Sequence, residues 1–247
     1  MIELNNLSKR YDDNFMALNN ITCSIGTGVL GLLGKNGAGK STLLKILATV
    51  LEPSAGNMRM HGLDGCRDKV AIRRQLGYLP QEFGLYNRLT GSEMLEYFAV
   101  LKGITDKKRR KAQVDVVMEQ LNLSGMKDRR IFEYSQGMKQ RLGIAQALLG
   151  SPRFLVLDEP TAGLDPIERN NICNIIRELG RKIPIVYATH IFADLVACCS
   201  GIVVLHRGEL LFNGKIDDFT KLLTAQATTT DELTKEQEFL SLRELIR

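Results

Sequence analysis

The chain has 247 residues, enough to bury the core of one good-sized domain or of a domain carrying an insertion. Hydrophobic residues make up 44% and charged residues 25%, ordinary for a soluble globular protein, and no apolar run approaches the ~18 residues of a membrane span. The net charge of +5 is mild and dispersed, which sets nucleic acid aside as a partner.

The N-terminus, Met1-Ile2-Glu3-Leu4-Asn5-Asn6, has neither the basic nor the apolar region of a secretory signal. Residues 2–4 and 21–25 alternate apolar and polar, as short strands do. Val29-Leu30-Gly31-Leu32-Leu33 is an apolar run of buried-strand type. It leads into Gly34-Lys35-Asn36-Gly37-Ala38-Gly39-Lys40-Ser41, which fits G-x-x-x-x-G-K-[ST], and then into residues 42–48 with helical apolar spacing. A strand, a glycine loop and a helix in this order turn backbone N–H groups and the positive helix end toward a polyphosphate. Lys40 is placed to reach the β- and γ-phosphates and Ser41 to hold Mg²⁺. Gly34, Asn36, Gly37, Ala38, Gly39, Lys40, Ser41 and Thr42 are therefore the candidate residues for a nucleoside triphosphate.

Residues 52–56 read as a turn and 76–79 as a short strand ending at Pro80-Gln81. From about 84 to 140 the character changes: 93–101 and 114–121 are amphipathic helices, a helical insertion between pieces of an α/β core. The basic run at 107–111 reads as a solvated helix start, since no aromatics interleave with it. The α/β pattern returns in the apolar runs 154–157 and 183–188, separated by a helix near 167–179. Residues 202–205 and 210–212, joined through Arg207-Gly208, read as a hairpin. The tail ends in a charged amphipathic segment, 231–247, of a kind that caps or regulates. Five scattered cysteines, with Cys198 and Cys199 adjacent, indicate a packed helix in a reducing compartment.

Leu155-Val156-Leu157 ends in Asp158-Glu159. An apolar strand ending in two carboxylates supplies what phosphoryl transfer needs beyond the phosphate loop. Asp158 is assigned to the metal and Glu159 to the general base that activates water.

Over about residues 1–215 the chain resembles the nucleotide-binding subunits of ATP-binding-cassette (ABC) transporters, most of all bacterial exporters of drug, peptide or multidrug type. The resemblance rests on segments in family order. Gln81 sits at the Q-loop position, where it touches Mg²⁺ and relays to the membrane subunit. Residues 134–141 (YSQGMKQR) match the signature sequence, and Asp158-Glu159-Pro160-Thr161 the Walker B segment. Ala162-Gly163-Leu164-Asp165 is similar to the D-loop, His190 to the switch histidine, and Tyr11 to the aromatic that stacks on adenine.

The resemblance implies an α/β P-loop NTPase core with a mostly parallel sheet, an N-terminal antiparallel β region and an inserted helical subdomain. This domain would cover residues 1–220, leaving 221–247 as a tail. It implies an ATPase using ATP and Mg²⁺ that dimerises head to tail with a second nucleotide-binding subunit. Ser135 and the N–H of Gly137 would then contact the γ-phosphate in the partner's ATP site, and Asp165 is a further nucleotide-binding candidate. It further implies a separate transmembrane permease subunit and a cytoplasmic, peripheral location on the inner face of the cell membrane. Importer subunits share the same catalytic residues, and a soluble ABC ATPase is the alternative. Gln136 stands where the family most often has glycine, and Tyr134 where it has leucine; the first substitution either tunes or weakens the trans contact.

Overall fold

The computed structural model describes residues 1–12 and 15–227. Strands β1 (Ile2–Arg10) and β2 (Met16–Ile25) pair antiparallel and run longer than the alternation predicts, because Leu7 and Leu18 extend the buried face past polar neighbours. β3 (Val29–Leu33) feeds the glycine loop and α1 (Lys40–Leu47). The turn expected over 52–56 is shorter: the Ser54 N–H donates to the Ser8 carbonyl at 2.8 Å, and β4 (Ala55–Met60) starts at once. With β5 (Leu63–Asp64), these strands form a sheet of order β2-β1-β4-β5.

The chain then makes α2 (Lys69–Gln75), which the sequence reading missed, and β6 (Leu76–Leu79). Three helices follow: α3 (Gly91–Leu101), α4 (Lys107–Gln120) and α5 (Gln136–Leu148). Each has a side-chain cap. Thr90 and Glu93 form a reciprocal capping box on α3, and Asp106 Oδ1 accepts from the Arg109 N–H at 2.7 Å on α4. The basic run 107–111 is thus a largely exposed helix start, as expected. α5 begins among the inserted helices and continues without a break at 140 until it packs on β6.

Lys102, at the end of α3, turns its ammonium inward onto the C-terminus of α5, donating to Leu149 O at 2.8 Å and Ala147 O at 3.2 Å. Lys102 keeps part of its stem in solvent, but desolvation of the ammonium against those carbonyls, with no carboxylate partner among the described residues, lowers its pKa from the 10.5 of a free lysine to about 8. Between those two values the unfolded chain holds a proton that the native chain has released, so native stability should rise with pH across that window and gain nothing from this group below it. Urea midpoints on either side of pH 8 should show this slope in the natural chain and lose it in Lys102→Met; parallel curves would contradict a desolvated ammonium.

β7 (Phe154–Asp158), α6 (Pro166–Gly180), β8 (Ile185–Thr189) and α7 (Phe192–Cys198) complete the parallel core, with β8 starting just after Pro184. β9 (Gly201–His206) and β10 (Glu209–Lys215) form the expected hairpin, and α8 (Ile216–Ala227) follows. The sheet order is β10-β9-β3-β8-β7-β6, parallel except for β10. All five residues of β7 and of β8 are buried, as their apolar runs require.

Period-two alternation divides their side chains between two cores. Val156, Val186 and Ala188 face α1 and the antiparallel sheet; Leu155, Leu157, Ile185 and Tyr187 face α5, α6 and α7. The C-terminal ends of β3, β7 and β8 therefore share one edge, which carries the glycine loop, Asp158-Glu159 and Thr189-His190. All five cysteines are free, and only Cys66 is exposed. The segment 231–247 lies outside the described residues.

Candidate nucleotide site

Two glycines fix the loop between β3 and α1. A Cβ on Gly34 would lie 2.7 Å from Leu205 O, and one on Gly39, whose φ is +103°, would lie 2.5 Å from Ala17 O. The Arg207-Gly208 turn buttresses the loop from outside: Gly208 N–H donates to Ala38 O at 3.0 Å, and Asn19 N–H donates to Gly208 O at 2.7 Å. Lys35, Asn36 and Gly37 form the exposed lip, and Ala38 is buried beneath it. The first turn of α1 has no acid, leaving its backbone donors and dipole available to an anion.

Lys40 is 7% exposed and donates from Nζ to Gly34 O at 2.5 Å and Lys35 O at 3.3 Å. Desolvation lowers its pKa, against the charges of Glu159 and Asp158. Ser41 and Thr42 are half-buried at the head of α1. The Tyr11 hydroxyl lies 3.4 Å from Thr42 Oγ1, and its exposed ring carries Lys9 Nζ 5.6 Å from the centroid.

Across the edge, Asp158 is buried, and burial raises its pKa while a hydrogen bond from Ser41 opposes the shift. Its Oδ1 is buried with no hydrogen-bond partner. An orphaned carboxylate oxygen beside a serine hydroxyl suits a hard cation, so this pair fits Mg²⁺. Glu159 turns the chain sharply, with φ +51°, a left-handed conformation that costs a non-glycine residue roughly 1–2 kcal/mol. Its backbone N–H still reaches Ala188 O at 2.9 Å. Its carboxylate lies 3.0 and 3.1 Å from His190 Nδ1, and Thr189 Oγ1 donates to it at 3.3 Å. Gln81 follows β6, which pairs with β7 through Leu79 and Leu157, so it shares this edge; it is exposed and makes no hydrogen bond among the described residues.

Among the described residues no hydrogen bond joins Ser135, Gly137 or Asp165 to residues 34–42. Ser135 Oγ caps α5 by accepting from Met138 N–H at 3.2 Å. Asp165 Oδ1 caps α6, accepting from the N–H groups of Ile167 and Glu168 at 2.9 Å each. Gly137 is buried against Glu168, whose carboxylate would have to shift to admit a Cβ. Gln136 is an exposed first-turn residue without left-handed backbone, so its departure from glycine carries no strain. Tyr134 is buried, donates from its hydroxyl to Met126 O at 2.8 Å, and fits because Gly91 has no side chain.

A family model described as "ABC transporter" matches residues 18–162. The chain belongs to the ABC transporter family. The ABC transporter ATP-binding protein NatA of Bacillus subtilis is 34% identical over 223 residues, covering 88% of this chain and 90% of that one. The daunorubicin resistance ATP-binding protein DrrA3 of Streptomyces coeruleorubidus is 33% identical over 219 residues, covering 88% of this chain and 69% of its own length. Among solved structures, the dimeric post-hydrolysis state of the ATP-binding cassette MJ0796 bound to ADP and Pi aligns with a TM-score of 0.78 at 25% identity. That alignment covers 87% of this chain and 99% of the other.

As an ABC cassette this chain is an ATPase, the ATP-binding subunit of an ABC transporter. Thr189, Thr161 and Asp194 belong to the same edge of the cassette but were not singled out from the sequence. The available signal was polar side chains at the ends of apolar runs, Tyr-Ala-Thr after Ile-Val and an aspartate inside Phe-Ala-Asp-Leu-Val. Among the described residues no helix is long and apolar enough to cross a membrane.

Proposed function

We propose that this ABC subunit hydrolyses ATP in a head-to-tail pair of cassettes and drives a separate transmembrane permease, for export, from the inner face of the cell membrane. The observation carrying this reading is the division of the predicted site. Loop, acids and His190 share one sheet edge, whereas Ser135 and Asp165 are tied to their own helix starts. A second cassette supplying its own Ser135 and Gly137 would complete the site, with backbone donors at the start of α5 turned to the γ-phosphate. Export is supported by relatives named for drug resistance, such as DrrA3.

In this reading Gly34, Asn36, Gly37, Ala38 and Gly39 wrap the phosphates through backbone N–H groups. Lys40 leaves the carbonyls of Gly34 and Lys35 for the β- and γ-oxygens, and Tyr11 stacks on adenine. Ser41, Asp158 and Gln81 would hold Mg²⁺, which when bound neutralises phosphate charge. Glu159 takes a proton from the attacking water as the new P–O bond forms and the bond to the ADP oxygen breaks. His190, donating from Nδ1, fixes the direction of that carboxylate; its Nε2 has no protein partner among the described residues and is left for the γ-phosphate. Hydrolysis removes the charge that bridges the pair, which then opens.

The test is affinity capture of the tagged protein from detergent-solubilised membranes of its own cell. A stoichiometric polytopic companion is the expected result. A protein that purifies alone at comparable expression would replace the transporter motor with a soluble ABC ATPase.

A further inference from the structure

Asp194 is 3% exposed and lies in the first turn of α7, just after the chain leaves His190. Its Oδ2 accepts from the Thr161 hydroxyl at 2.7 Å and from the Tyr187 hydroxyl at 3.2 Å, and those two hydroxyls lie 2.9 Å apart. Oδ1 faces Arg169 Nε at 3.7 Å. The same guanidinium donates to Leu164 O at 3.3 Å, one residue before Asp165. A single carboxylate thus touches the segment after β7, β8 itself and α6, while sitting on α7.

The positions of these partners give the contact its meaning. Thr161 is two residues beyond Glu159, and Tyr187 is two residues before Thr189. At the front of the edge the same two segments meet again, through Thr189 and His190 on the Glu159 carboxylate. Between front and back, the left-handed turn at Glu159 closes with the Ala162 N–H on Glu159 O at 3.1 Å. Thr161 thus lies within the hydrogen-bonded turn that sets the backbone of Glu159.

We infer that Asp194 is a positioning residue for hydrolysis, bolting from behind the two strand ends that carry Glu159 and His190 and steadying the loop that leads to Asp165. This rests on the reading of Glu159 as the base. Asp194 touches neither nucleotide nor water in this role; it acts through Thr161, Tyr187 and Arg169. Because the reacting groups must be held in a narrow geometry, the effect belongs in turnover and not in nucleotide affinity.

The experiment compares Asp194→Asn, which keeps the shape, with Thr161→Val, which removes only the hydroxyl, and Thr161→Ser, which restores it. Asp194→Asn and Thr161→Val should each lower kcat by about tenfold or more while ATP affinity stays within about twofold, and Thr161→Ser should stay near the natural rate. The double variant Asp194→Asn/Thr161→Val should be no slower than the worse single one, since both act through one contact. Losses that multiply in the double variant, or that follow the unfolded fraction, would overturn the inference. If Asp194→Asn does not fold, the Thr161→Val and Thr161→Ser pair together with Tyr187→Phe decides the matter by the same split. Full turnover in Asp194→Asn beside an inactive Glu159→Gln would defeat this inference and leave the base assignment intact. Rapid turnover in Glu159→Gln would instead remove the assignment on which it rests.

Discussion

Glu159→Gln is expected to lower ATP turnover by about 10²–10⁴-fold, the usual contribution of a positioned base, while ATP still binds. The amide keeps the length and hydrogen-bonding reach of the carboxylate but cannot accept the proton that water must lose. A glutamine oxygen in the place of Oε2 can still accept from both Thr189 and His190, while the amide N–H groups take the place of Oε1 beside the ring. The left-handed backbone at this position is no worse for glutamine than for glutamate, so folding should be little affected. With hydrolysis stopped, the ATP-bound pair should persist, seen by size-exclusion chromatography as an ATP-dependent dimer that ADP does not support. Turnover within a few-fold of the natural rate would show that another group activates the water.

Lys40→Met should abolish most ATP affinity, and its signature is that the nucleotide-free protein loses little. In the structure the ammonium is buried against two backbone carbonyls, with its pKa held down by desolvation. A desolvated cation hydrogen-bonded only to carbonyls, whose desolvation outweighs the attraction of Glu159 and Asp158, is a weak source of stability, so a methionine of similar volume should leave the melting temperature without nucleotide little changed. In the proposed reading the charge serves the phosphates. Removing it should cost about 2–5 kcal/mol of binding, roughly 30-fold to several-thousand-fold in affinity. Thermal shift with and without ATP separates the two effects. A variant that keeps the nucleotide-induced shift would contradict the assignment of the phosphate loop.

The strand–loop–helix and the acidic strand end of the candidate nucleotide site were legible because they use residue types with few structural substitutes. Gly34 and Gly39 have no substitute under the carbonyls of Leu205 and Ala17, and an apolar strand ending in Asp158-Glu159 has few structural uses. The buried parallel strands were equally plain, since β7 and β8 are enclosed on both faces and show unbroken apolar runs. What escaped were elements that bury little. β4 contributes only Met58 and Met60, on either side of Arg59, and α2 buries only Ile72. Neither pattern outweighs the proline and glycines around it. The Asp194 network escaped for a different reason. Its members are scattered from Thr161 to Asp194, and only the fold shows that three hydroxyl and carboxyl groups occupy one buried point. The Lys102 contact is the same kind of case: an ordinary lysine in the sequence becomes a clamp through two carbonyls at the end of another helix.

The Arg207-Gly208 turn joins the last two strands of the sheet and is held by Asn19 on one side and Ala38 on the other. Both of its residues have left-handed backbone, and a Cβ on Gly208 would fall 2.8 Å from Ala17 O. A surface hairpin tip is ordinarily where evolution and protein engineers find freedom to add residues. Here the tip is the outer wall of the mould that shapes the glycine loop. Its length is a frozen dimension of the molecule, and a tag or extra residue spliced into it would deform the glycine loop from outside.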